Sequence, residues 1–367
     1  MKFSLLTLLF ALALAAAPQA AARQPRPQGG PAAREFPLER RAEAEARAVV
    51  SLCVNSGDVI VRGWDRNEVR ARAEGEGTLR LLTPNVRPAP RVEVLVSDEK
   101  DADLNAGHCG TSETIELTVP RGATVEVESQ TGHVEVSDVA QARVKVLSGD
   151  VTLRRVTRAV EVSCLSGDVS ITDSTGPVRV ESVSGDVEAR NVRTSAAGDN
   201  FEAKSTSGDV TIEAVGHGHV SGSAVSGQIL YTGALARGGS YDFRTISGDV
   251  TMELPADASF NLHAKVVVSG EIITDFPVRT GGPASPPAGG GAPPQTPGAP
   301  GTMPPAPPAP GPNVAVMPPA PPGHSKKVPK VRGHREHESA RLDGTVGDGG
   351  AVVNLSSFSG SLHLRKR

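Results

Sequence analysis

The sequence predicts an all-β fold: a β-solenoid of stacked coils of about 18–23 residues, with a Pro/Gly-rich insertion before the last strands. Three observations predict it. The phrase Ser-Gly-Asp-Val recurs at 56–59, 148–151, 166–169, 184–187, 207–210 and 247–250, with softened copies at 131–134, 226–229, 269–272 and 359–362. From Gly132 to Gly270 the glycines of the phrase are spaced by 17, 18, 18, 23, 19, 21 and 22 residues. Around each copy, apolar and polar residues alternate with the period of a strand.

The chain opens on a targeting pattern. Lys2 precedes an apolar run over 5–17, and Ala20-Ala21-Ala22 offers small residues at a cleavage site. The run is short for a membrane span, and no second apolar segment follows it. Residues 1–22 therefore read as a secretory signal peptide. The expected destination is the periplasm, the cell surface or the medium, with no transmembrane segment after cleavage. Residues 23–34 are rich in Pro, Gly and Gln and read as a disordered linker.

The solenoid is expected over 35–278. Residues 35–48 fit a short helix or a first strand. Val50, Leu52 and Val54 then lead into Ser56-Gly57-Asp58, and Trp64 ends a hairpin-like unit. Strands follow at 69–73, 91–96, 114–119 and 124–128, with a polar loop over 98–109.

From Gly132 onward the copies align into columns. Three residues before the glycine stand Val146, Cys164, Ser182, Ser205, Ala224, Thr245 and Val267. Two before it stand Leu147, Leu165, Val183, Thr206, Val225, Ile246 and Val268. Two after it stand Val151, Val169, Val187, Val210, Ile229, Val250 and Ile272. Lys145, Glu161 and Arg179 alternate with the apolar positions, which sends them to solvent. Each unit thus reads as strand, tight turn, strand, second turn. One unit cannot bury its apolar face alone, so units stack with equivalent strands about 4.8 Å apart. Gly149, Gly167, Gly185, Gly208 and Gly248 are the structural turn residues, because Gly supplies positive φ at no steric cost.

Residues 279–339 break the pattern. Most are Pro, Gly and Ala, followed by Lys326, Lys327, Lys330, Arg332 and Arg335 among His324, His334 and His337. This composition cannot build a core and reads as a disordered insertion. Residues 340–367 return to strand, and Ser359-Gly360-Ser361-Leu362 is expected to close the solenoid.

The net charge is −3, and −4 once Lys2 leaves with the signal peptide, which argues against nucleic-acid binding. Aromatic residues are 3% of the chain, so the core must be made of small aliphatics. Of the three cysteines, Cys53 and Cys109 are the disulfide candidate. The bond would close a loop of about 57 residues and stabilise by roughly 4 kcal/mol in the chain-entropy model. Three buried thiols are the alternative. Cys164 falls in a core column and is expected buried and unpaired.

The aspartates Asp150, Asp168, Asp186, Asp209 and Asp249 form a column along one edge. Such a row of carboxylates could hold Ca²⁺. Turn chemistry explains it more simply, with Ser and Asp bonding local backbone. No metal or cofactor is assigned on this evidence. No nucleophile elbow or phosphate-binding loop appears, and Trp64, Tyr231 and Tyr241 are scattered, which disfavours a sugar-stacking site. The chain reads as a non-enzyme; a polysaccharide-acting β-helix enzyme is the catalytic alternative.

Taken together, the signal peptide, Asn55 through Trp64 with its Gly-Asp-Val and Gly-Trp, the repeats and the terminal Ser-Phe-Ser-Gly-Ser-Leu resemble the bacterial "putative adhesin" family of exported domains. The resemblance covers about 35–278 and 340–367. It implies a single β-solenoid at the bacterial envelope. The expectation is a structural or binding module, with an envelope glycan or protein as partner; an envelope scaffold or sensor without a glycan ligand is the other non-enzymatic reading.

Overall fold

The computed structural model describes residues 36–100, 104–107, 109–280 and 339–367; the expected signal peptide, the linker and most of the insertion lie outside them. The described residues contain strands and turns and no helix. The N-terminal part comprises β1 (Leu38–Trp64), β2 (Glu68–Ala73), β3 (Thr78–Leu82), β4 (Ala89–Ser97) and β5 (Gly110–Pro120). Regular coils follow, each a longer strand, a corner centred on the glycine of the phrase and a shorter strand. They are β6 (Thr124–Thr131) and β7 (Val134–Ser137), β8 (Gln141–Ser148) and β9 (Val151–Arg154), β10 (Ala159–Ser166) and β11 (Val169–Thr172), and β12 (Val178–Ser184) and β13 (Val187–Arg190). Next come β14 (Asn200–Ser207) and β15 (Val210–Glu213), β16 (His219–Ser226) and β17 (Ile229–Thr232), and β18 (Ser240–Ser247) and β19 (Val250–Leu254). The C-terminal part holds β20 (Phe260–Ser269), β21 (Ile272–Thr274), β22 (Ala340–Val346), β23 (Val352–Ser359) and β24 (Leu362–Lys366).

Longer strands pair in parallel with longer strands, and shorter with shorter, glycine over glycine. Val162 sits between Val144 and Val180, and Ile171 between Leu153 and Ala189. Backbone bonds link each corner to the next: Gly149 N–H donates to Ser166 O and Val151 N–H to Asp168 O, both at 2.8 Å. The fold is therefore the predicted β-solenoid. Of the stretch that is ambiguous in sequence, residues 38–48 belong to β1, which continues through its corner instead of folding back as a hairpin.

Layer order departs from chain order at both ends. β1 is not the first layer: β4 and β5 pair in parallel with its outer side, while β6 and β7 pair with its inner side. β23 and β24 are not the last: β23 lies between β18 and β20, and β24 between β19 and β21. The final copy of the phrase is thus penultimate in space. The glycines give the same order. A Cβ on Gly360 would stand 2.0 Å from Gly248 O, and one on Gly270 would stand 2.0 Å from Gly360 O.

The ends are covered by antiparallel strands. β2 pairs with β5 and the start of β1, β3 pairs with β4, and β22 pairs with β20. Exposed sheet edges invite pairing with other chains, and such covering strands blunt them.

Inside, the apolar residues of the column three before the glycine and of the columns two and four after it join one continuous core, except in β20, where an irregularity after Val266 buries Val266 and exposes Val267. Aromatic residues enter this core toward the C-terminal half. Tyr231 and Tyr241 meet edge to face at 5.5 Å and are fully buried, with Phe243 beside them. Tyr231 on the shorter strand β17 and Tyr241 and Phe243 on the longer strand β18 stand in different columns, and their rings meet in the interior of the coil.

Candidate binding face

Period two decides what the outer face of the longer strands carries. Lys145 and its equivalents point outward, so the residues two further on must point outward as well. These are the apolar residues two before the glycine. The sequence columns present Val146 and Leu147 alike, but only Val146 is core. Leu147, Leu165, Val183, Val225, Ile246 and Phe358 are 44–53% exposed. Stacking sets them one above another at about 4.8 Å, with Thr206 as the polar member. They form a straight apolar stripe along the solenoid.

Part of this stripe floors a groove of about 1070 Å³, lined among others by Leu147, Leu165, Val183 and Val225, with Lys145, Glu181 and Lys204 along one side. The disulfide between Cys53 and Cys109, whose Cα atoms are 4.5 Å apart, stands at one end. There the column turns polar. Asn55 Nδ2 donates to Cys109 O at 2.7 Å, and Gln130 Nε2 donates to Asn55 Oδ1 at 2.8 Å.

The charges flanking the stripe satisfy one another. Arg143 reaches Glu126 at 3.0 Å and Glu161 at 3.3 Å. Lys145 pairs with Glu128 at 2.9 Å, and Glu128 raises its pKa. Arg179 reaches Glu202 at 2.8 Å and Glu181 at 2.7 Å, while Lys204 also pairs with Glu202. The Lys204 ammonium holds the Glu202 carboxyl below its usual range. The face consequently offers apolar surface beside neutralised charged columns, a different chemistry from a charged ligand clamp.

The aspartate column lies at the corners. Its Oδ1 atoms accept backbone amides of the next coil, not of their own turn. Asp150 takes the N–H of Asp168 at 3.0 Å, Asp168 that of Asp186 at 2.8 Å, and Asp186 that of Asp209 at 2.8 Å. Asp209 takes the N–H of Gln228 at 2.8 Å, and Asp249 that of Ser361 at 2.6 Å. Asp249 thus bonds the out-of-order layer. Among the described residues, no three His, Cys, Asp or Glu side chains are grouped to hold a metal ion. Gly149, Gly167, Gly185, Gly208 and Gly248 all have positive φ at the same corners.

Cys164 is unpaired and buried, its Sγ 3.5 Å from Gly167 O and 3.7 Å from Gly149 O. Burial pushes its thiol pKa up, which keeps it protonated and unreactive. His217 reads from sequence as a turn residue, yet it is fully buried against Phe201. Its Nε2 bonds Gly176 O at 2.9 Å, and Nδ1 has no partner. No sequence pattern marks it, because the second turn of each coil varies in length. Trp64 is half-buried, donates Nε1–H to Glu68 O at 2.8 Å, and carries Arg66 and Arg70 at 5.0 Å each, so its ring faces are occupied.

Stacked short coils, a glycine at every corner and a repeated outer face define a β-solenoid module. Residues 50–281 match the family model of Toastrack DUF4097, and the chain belongs to that family. No curated protein matches the chain. A crystal structure from Clostridium sporogenes, described as a "putative cell adhesion protein", aligns over 90% of this chain and 99% of that one, at 7% identity and a TM-score of 0.19. No helix among the described residues is long and apolar enough to cross a membrane.

Proposed function

We propose that this protein is a non-enzymatic binding module, exported to the cell envelope, that takes its ligand along the apolar groove. The observation that carries the reading is the exposed stripe from Leu147 to Phe358, repeated coil by coil. Contiguous exposed apolar surface of several hundred Å² marks interaction sites. Its regular spacing suits a ligand that is itself extended. The signal-peptide pattern of residues 1–22 supports export.

The test compares the wild-type chain with Leu165→Glu and Val183→Glu. Both sites are solvent-facing, so melting temperatures should stay within the range of surface changes, about 0.5 kcal/mol. Ligand is sought on a glycan array and by pull-down from envelope extracts. The reading expects a ligand retained by wild type and lost by both variants. A ligand held equally by all three chains would place binding elsewhere. Turnover of acidic polysaccharide by the purified protein would overturn the non-enzymatic reading. N-terminal sequencing of the protein from the envelope fraction should begin near Arg23.

A further inference from the structure

Residues 36–280 by themselves would leave β18 and β19 facing β20 and β21 across a slot one coil thick. β23 and β24 fill it. The slot is demanding. Gly248 N–H donates to Ser359 O at 3.0 Å, and Gly360 N–H donates to Ser269 O at 2.8 Å. Val353, Leu355, Leu362 and Leu364 supply the layer's core and are buried. At Gly360 a Cβ would collide with Gly248 O, so the filling segment needs glycine at that corner.

This plug comes from a distant part of the chain by a longer route than its position requires. Arg279 and Thr345 exchange two backbone hydrogen bonds, at 2.9 and 3.0 Å. Body and plug already touch there, and a short turn would join them. Instead 58 residues, 281–338, intervene. A connector of that length has a maximal span of about 190 Å, several times the length of the stack.

We propose that the C-terminal strands β22–β24 exchange between copies of this chain, so that the slot is a homophilic binding site for residues 340–366 of a second copy. The contacts are identical whether the plug is a chain's own or a neighbour's. The choice is then set by concentration. A chain's own plug has an effective concentration of order millimolar, falling roughly as the −3/2 power of connector length. Exchange grows as the local protein concentration approaches that value, as it does where many copies share one surface. The inference is independent of the groove and of its ligand.

Ser269 and Ser359 provide the test, since their Oγ atoms face each other across the slot at 2.9 Å and are exposed. Full-length Ser269→Cys carries one tag and full-length Ser359→Cys another. The two are refolded together from about 10 μM to about 1 mM and oxidised. A single chain carrying both substitutions should close an intrachain disulfide and serves as the geometric control. Exchange predicts a disulfide-linked heterodimer whose yield rises with concentration. Cutting 281–338 to about eight residues should lower that yield about 20-fold at fixed concentration. No heterodimer at about 1 mM, while the control chain closes its disulfide, overturns the proposal. A heterodimer indifferent to connector length reports random collision and overturns it too.

Discussion

Asp168 Oδ1 accepts the backbone N–H of Asp186, 2.8 Å away in the next coil, and Asp186 does the same for Asp209. A carboxylate so used is an acceptor for a neighbouring layer before it is a charge. Asp186→Ala should therefore cost about 1 kcal/mol, the net worth of one such bond. Asp186→Asn keeps the acceptor oxygen and should cost less than half of that. Urea denaturation separates them, and equal losses would show that the amide bond is not the relevant contact. Millimolar Ca²⁺ should leave the melting curve of the wild type unmoved.

The corner glycines set a harder limit. At Gly185, with φ of +122°, a Cβ would lie 2.2 Å from Gly167 O, which belongs to the backbone and cannot move aside. Gly198 also has positive φ, +95°, but a Cβ there meets nothing within 4 Å. Gly185→Ala should destabilise by about 3 kcal/mol or more, through clash added to conformational strain. Gly198→Ala should cost about 1 kcal/mol, from conformation alone. Similar melting temperatures for the two variants would remove the steric explanation of the repeat.

Second turns hold a different column. Asp138, Arg155, Asp173, Asn191 and Ala214 all adopt φ between 51° and 59°. Asp and Asn visit this region through local hydrogen bonds, whereas Ala has no such means. Ala214→Gly should raise stability by roughly 0.5–1 kcal/mol, seen as a higher denaturation midpoint.

His217 gives the fold a pH dependence. Desolvation lowers its pKa below the ordinary 6.5, against the opposing pull of Gly176 O and Asp199. Below pH 6.5 the unfolded chain therefore takes up this proton before the folded one does. The unfolded state binds more protons, so stability falls as pH drops from about 6.5 toward the folded pKa. Carboxylates with lowered pKa, Asp138 and Glu202 among them, act in a more acidic window, below their unfolded values near 4. His217→Gln should flatten the melting temperature between about pH 6.5 and 5, and an unchanged slope there would exclude His217 as its source.

The Cys53–Cys109 bond ties β1 to the segment between β4 and β5, across 56 positions of sequence. Reduction should cost as much as roughly 4 kcal/mol in the chain-entropy model. Hydrogen exchange should rise first in β3, β4 and β5, the layer outside β1. Uniform loosening of the whole stack would contradict a local clamp.

Much of this was legible because the repeat is a local code. Val151, Val169 and Val187 share a column for the same reason that Gly149, Gly167 and Gly185 do: stacked coils repeat one geometry, and each column states one local need. The outward turn of Leu147 and Leu165 was also implicit, since parity alone separates them from Val146 and Cys164. His217 and the meeting of Tyr231 with Tyr241 were not legible, because they depend on turns that differ from coil to coil.

By itself, then, the sequence determined the coil: its strands, its glycine corner, its buried valines and its length. Only the tertiary structure decided the order of coils at the two ends, where β4 and β5 lie outside β1 and β23 and β24 slip beneath β20 and β21. The reason is physical. Every coil presents nearly the same hydrogen-bonding edge to the layers above and below it. Local sequence states what a layer is, and which layer comes next is settled by fit across the stack, as Gly360 fits between Gly248 and Gly270.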